Sequence, residues 1–156
     1  DMKYSIKGCV VIFGATMLIG CSGGSSSTGV SASTPYAGQY DGTVVMRMQG
    51  LGETASQVVP IRVVVGVDGR VTAGNPSSSS AGTCNLPEKS SFLTGNSINA
   101  SATFKCSIPG VGTCTVSGTE TVTFSNQAAS FAGRYGFNCP QGRVNADASG
   151  YLKKTV

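Results

Sequence analysis

One pattern constrains the backbone of this chain more than any other. Ile98, Ala100, Ala102, Phe104 and Cys106 alternate with Asn99, Ser101, Thr103 and Lys105. Beyond Pro109-Gly110, Cys114, Val116, Gly118, Glu120, Val122 and Phe124 alternate with a hydroxylated series, Thr113, Thr115, Ser117, Thr119, Thr121 and Thr123. Ala129, Phe131, Gly133, Tyr135, Phe137 and Cys139 then alternate with Ser130, Arg134 and Asn138, and a last strand is expected from about Arg143 to Lys153. Apolar residues that recur every second position mark strands with one face buried, whereas a helix would repeat at 3.6.

The same period organises the first half. Residues 36–49 set Tyr36, Gly38, Tyr40, Gly42, Val44, Met46 and Met48 on one face, and residues 57–67 do so with Val59, Ile61, Val63 and Val65. Asp68-Gly69 supplies a tight turn into a strand at Arg70 to Gly74, because glycine tolerates the positive φ of such turns. Residues 75–83 read as a loop, and a further strand is expected between Cys84 and Thr94, turning at Gly95-Asn96. The expected fold is an all-β antiparallel meander of about eight strands. An up-and-down β-barrel hides both the apolar face and the free edges, and a β-sandwich is the alternative. Inward glycine and alanine beside aromatics suit a narrow, filled interior.

The first residues follow another logic. A basic start, Lys3 to Lys7, leads into an uncharged apolar run from Gly8 to Gly20, and Cys21 follows at once. That run covers 13 residues, while a helix needs about 20 to cross a bilayer. These are the parts of a secretory signal peptide. Leu18-Ile19-Gly20-Cys21 resembles the lipobox of bacterial lipoproteins. The resemblance implies a diacylglyceryl thioether on Cys21, cleavage after Gly20 and acylation of the new amino terminus. Ser22, where an Asp would imply retention at the inner membrane, implies the outer membrane. An ordinary signal peptide with Cys21 incidental is the alternative. Residues 22–35, small, polar and uncharged, read as a flexible tether with a reach of roughly 20 Å. The expected division is therefore a signal at 1–20, a lipidated cysteine and tether at 21–35, and a β domain at 36–156.

Without residues 1–20 the chain has 136 residues, 9 basic and 6 acidic. That is enough for one modest core. The basic residues are scattered, which argues against nucleic acid as a partner. Cys84, Cys106, Cys114 and Cys139 remain, an even number that reads as two disulfides in an exported domain. A turn near Ser125 to Ala128 sets Cys114 opposite Cys139, and a turn at Gly95 brings Cys84 near Cys106. Pairing Cys106 with Cys114 and Cys84 with Cys139 is nearly as good. The spacings of 21, 7 and 24 intervening residues and the absence of histidine argue against zinc.

Without histidine there is no Ser-His-Asp or Cys-His arrangement, and no nucleotide-binding glycine motif stands in a fitting context. An enzyme is not expected, and neither is a cofactor. Glu120 alone breaks the pattern, falling on the apolar face of its strand. It reads as an inward carboxylate with a raised pKa lining a cavity, or as a residue turned out by a bulge at Gly118, or as a partner of Tyr40 or Tyr135. Gly38-Gln39-Tyr40 is similar to the Gly-x-Trp opening of lipocalins, which are ligand-binding barrels, although this chain has no tryptophan. The expected function is that of a lipid-anchored envelope protein whose non-catalytic β domain serves as a structural or protein-interaction module. The alternative is a barrel binding a small apolar ligand, lined by Tyr36, Tyr40, Phe104, Glu120, Phe131 and Tyr135.

Overall fold

The computed structural model describes residues 34–74, 83–85, 91–108 and 110–155. Cys21, the signal, the tether as far as residue 33 and residues 75–82 of the expected loop lie outside the described residues; Thr34 and Pro35, expected in the tether, and Thr83, expected in the loop, are described, with Thr83 opening a short strand. Among the described residues, nine strands form one antiparallel sheet: β1 Gly38–Gly50, β2 Glu53–Val65, β3 Arg70–Gly74, β4 Thr83–Asn85, β5 Ser91–Phe92, β6 Ser97–Ile108, β7 Gly112–Phe124, β8 Ala128–Cys139 and β9 Gly142–Lys154. Their order is β4-β6-β7-β8-β9-β1-β2-β3-β5. β4 pairs with β6 and β5 pairs with β3, so these two short pieces occupy the place of the single strand expected at 84–94. Counted together they make an eight-stranded up-and-down meander, nearly closed into a barrel.

Closure comes from β1 and β9, which pair from Tyr40↔Lys154 to Gly50↔Val144. Three glycines permit the close approach of these strands. A Cβ on Gly42 would strike the Tyr151 carbonyl oxygen, one on Gly150 the Thr43 carbonyl oxygen, and one on Gly50 the Arg143 carbonyl oxygen. Glycine at such points lets a sheet bend sharply at a barrel corner.

The hairpins explain the register. Asp68-Gly69, Gly95-Asn96 and Ser125 to Ala128 turn where the sequence places turns, with Gly69 at φ 81° and Gly95 at φ 63°. β2 starts at Glu53, four residues before the position expected, because Leu51-Gly52 forms a two-residue turn with both residues at positive φ. Tyr36 sits in the turn ahead of β1 rather than in the strand. β7 runs without a bulge through Ala102↔Gly118↔Tyr135, so Glu120 keeps its inward direction.

The inner faces supply the core. Tyr40, Val44, Met46 and Met48 from β1 meet Val59, Ile61 and Val63 from β2, Val122 and Phe124 from β7, and Phe131 and Phe137 from β8. The Tyr40 ring packs edge-on against Phe124 at 5.0 Å, and the Tyr40 hydroxyl donates to the Tyr36 carbonyl oxygen at 2.9 Å.

Candidate functional site

The residues singled out for the interior fall into two groups. Tyr40, Phe104, Glu120, Phe131 and Tyr135 are buried inside the barrel, while Tyr36 lies half-buried at one end, 6.4 Å from the Phe124 ring. Glu120 and Tyr135 are diagonal neighbours across β7 and β8, a spacing that a long aromatic side chain can span. The Tyr135 hydroxyl donates to Glu120 Oε1 at 2.5 Å. Burial pushes the Tyr135 phenol far above its ordinary pKa, and the Glu120 carboxylate beside it adds to the shift. Burial raises Tyr40 as well, with Tyr36 contributing. Glu120 is thus held by a hydrogen bond within a packed core. Of the residues expected to line an interior, Tyr40 is 0 %, Glu120 2 %, Phe131 3 %, Tyr135 8 % and Phe104 9 % exposed.

The cysteines form a row across neighbouring strands at the end of the barrel away from Thr34. Backbone register places Cys84 opposite Cys106 and Cys106 opposite Cys114. Cys114 and Cys139 are joined, with their Cα atoms 4.3 Å apart. Cys106 is itself disulfide-bonded; the side chain of Cys84 lies outside the described residues. Among the described residues, no group of three or more His, Cys, Asp or Glu side chains is placed to hold a metal ion.

Clefts lie on the outer wall. Cα pairing sets Ser101, Thr119, Arg134, Asp147, Arg47 and Ser56 side by side across β6, β7, β8, β9, β1 and β2. Arg134 Nε lies 3.5 Å from Asp147 Oδ1, so one carboxylate stands between two arginines. The adjacent row toward the cysteine end holds Thr103, Ser117, Gly136, Asn145, Gln49 and Thr54. Short side chains next to long arginines leave grooves. A cleft of about 620 Å³ spans β9, β1 and β2, lined by Arg47, Gln49, Thr54, Ser56, Asn145 and Asp147 among others. Two further clefts, of about 460 and 270 Å³, share Thr119 and Arg134 on β7 and β8.

Apolar side chains border this band. Val45 and Val58 are cross-strand partners, 38 % and 60 % exposed, and Tyr151 beyond them is 80 % exposed. Lys153, Asp41 and Arg62 lie one row further along. Arg62 Nε donates to Asp41 Oδ1 at 2.7 Å, and Gln39 Nε2 and Thr155 Oγ1 donate to Asp41 Oδ2 at 2.6 and 2.8 Å. The hydrogen bond from Arg62 leads these in holding the Asp41 carboxyl below the usual carboxylate range.

Arg47 and Arg134 are among the basic residues that are scattered along the sequence. The signal that joins them is hairpin arithmetic: turns at 51–52 and 140–141 align positions that are far apart in the chain. No family model, no curated protein and no solved structure matches this chain.

Proposed function

We propose that this chain is a membrane-anchored envelope lipoprotein whose barrel is a non-catalytic interaction module, with its binding surface on the outer wall of β8, β9, β1 and β2. The observation that carries this reading is the contrast between the two faces of the wall. Inside, aromatic and methionine side chains belong to one buried cluster, and Tyr135 of that cluster holds buried Glu120 by a hydrogen bond. Outside, a cleft runs past Arg47 and Asp147, and exposed Val45 and Val58 lie in the next outward-facing row. Recognition surfaces combine an apolar centre with a polar rim, and arginine is enriched in them. The partner that fits is a protein surface with carboxylates toward Arg47 and Arg134 and an apolar side chain toward Val45 and Val58.

Anchoring through Cys21 supplies location, and the tether supplies reach. Three acyl chains hold strongly, because each buried methylene contributes about 0.8 kcal/mol.

The test has two parts. Intact-mass analysis of protein purified from membranes should show loss of residues 1–20 and lipid on Cys21; an unmodified Cys21 overturns the anchor. A photo-crosslinking residue is then placed at Asn145, inside the band, or at Lys105, outside it. One partner captured in intact cells from Asn145 and not from Lys105, and lost on Arg47→Glu, supports the surface. The same products from both positions overturn it.

A further inference from the structure

The two ends of the barrel differ in what they expose. At the end where the described chain begins, Thr34 N donates to the Val67 carbonyl, Leu93 N donates to the Gly69 carbonyl, and β9 ends at Lys154. Val67, in the turn between β2 and β3, is 69 % exposed, and Phe92 on β5 is 50 % exposed. Leu51 and Val111, in turns of the opposite end, are half-buried.

Two cations stand at this end, one against exposed Phe92 and one against the buried Tyr40 ring. The Arg70 guanidinium lies 5.6 Å from the Phe92 ring centroid, and the Lys154 ammonium 5.7 Å from that of Tyr40. Lys153 is exposed on the neighbouring outer position. Two described acids lie at this end. Arg62 already engages Asp41, and Asp68 Oδ1 accepts from the Arg70 backbone N–H at 3.0 Å. The balance is positive around apolar tips, a composition suited to the interface of an anionic bilayer.

We infer that this end is a membrane-docking face. Val67 and Phe92 enter an anionic phospholipid surface at headgroup level, while Arg70, Lys153 and Lys154 lie against the phosphates. Two arguments name the occupant. Its charge complements the face, and the chain between Cys21 and Thr34 joins the barrel at this same end. Only twelve residues separate Cys21 from Thr34, and so short a connection keeps this end at high effective concentration beside the lipid. The inference rests on the Cys21 anchor proposed above.

Because the chain contains no tryptophan, Val67→Trp gives a single fluorescent reporter of this face, and Thr113→Trp reports on the opposite end. Each full chain is purified from membranes, its lipid is scored by mass, and it is reconstituted into phosphatidylcholine vesicles with or without phosphatidylglycerol. The Val67→Trp emission should shift to the blue and be quenched by brominated acyl chains when phosphatidylglycerol is present, while Thr113→Trp stays in water. Lys153→Glu with Lys154→Glu should weaken that response roughly tenfold. A Val67→Trp emission unmoved by either vesicle, or equal quenching at both ends, overturns the docking face even where Cys21 carries lipid. A mass without lipid overturns the anchor instead. The reporter is then tested with added phosphatidylglycerol vesicles, where co-sedimentation with a blue shift supports the face and its absence overturns it.

Discussion

The Tyr135 hydroxyl reaches Glu120 Oε1 at 2.5 Å by lying over the bare Cα of Gly133, the residue directly opposite Glu120 on β8. A carboxylate inside an apolar core is tolerated when its oxygens are hydrogen-bonded. Tyr135→Phe removes that donor and should lower unfolding stability by about 1–3 kcal/mol, read from the urea midpoint at constant slope. Glu120→Gln keeps the volume and an acceptor oxygen, so its loss should be smaller. A double-mutant cycle that gives additive effects for the two sites would show that the pair does not stabilise the fold.

Burial of two tyrosines bears on the behaviour of the protein in alkali. Burial and the adjoining carboxylate raise Tyr135, and burial raises Tyr40. An unfolded tyrosine loses its proton near pH 10, while the folded residues retain theirs, so above that pH the unfolded state binds fewer protons. The contribution of these two tyrosines to stability is therefore complete below about pH 10 and falls as pH rises further. Tyr135→Phe should flatten this limb in midpoints measured from about pH 8 upward. At the acid end the sign reverses. Asp41 is lowered by Arg62, so its contribution is present above about pH 4 and fades as pH falls through the folded value. Arg62→Gln should weaken that limb only.

Glycine substitutions should rank by what a new Cβ meets. On Gly150 it would lie 2.8 Å from Val44 Cα, and on Gly42 2.9 Å from Leu152 Cα, both backbone of the closing strand pair. Neither strand can yield without opening the barrel. Gly150→Ala and Gly42→Ala should each cost about 3 kcal/mol or more. On Gly133 the new Cβ would lie 2.6 Å from the Tyr135 hydroxyl, a side chain that can swing away, for about 1–2 kcal/mol and the loss of its bond to Glu120. Gly69 has open space and only its positive φ, so about 1 kcal/mol is expected there. Chemical denaturation of the four variants gives the order, and equal losses at Gly150 and Gly69 would remove the case for strand closure at the glycines.

Strand identity was legible in the sequence because inward and outward residues differ sharply in chemistry, as along Val116 to Phe124 opposite Thr115 to Thr123. Turns were legible where glycine follows a polar residue or proline. Leu51-Gly52 escaped because leucine pays for positive φ through steric strain and carries no turn signature. Its side chain packs against the core, with Leu51 Cδ2 lying 2.7 Å from where a Cβ on Gly142 would stand. The Arg134–Asp147–Arg47 band was not legible, because it depends on three hairpin registers at once. The inward direction of Glu120 was legible; the choice of Tyr135 over Tyr40 as its partner required the gap at Gly133.

The cysteine row leads to a prediction about exchange. Joining Cys114 to Cys139, 25 residues apart, restricts the unfolded chain and should contribute about 3.5 kcal/mol; Cys114→Ala with Cys139→Ala should lower the thermal midpoint accordingly. The single variant Cys139→Ala behaves differently. It leaves a thiol on Cys114 directly across β6 and β7 from Cys106, which is disulfide-bonded. Opposed strand positions meet the separation a disulfide needs. The Cys114 thiolate can attack the Cys106 sulfur, forming a Cys106–Cys114 bond and releasing the former partner of Cys106 as a thiolate. Both sulfurs are buried, so the exchange should be slow in the native state and speed up as denaturant loosens the sheet. Peptide mapping of Cys139→Ala after mild denaturation and alkylation should recover Cys106 linked to Cys114. Recovery of Cys114 as the alkylated thiol would show that the row holds its sulfurs out of mutual reach.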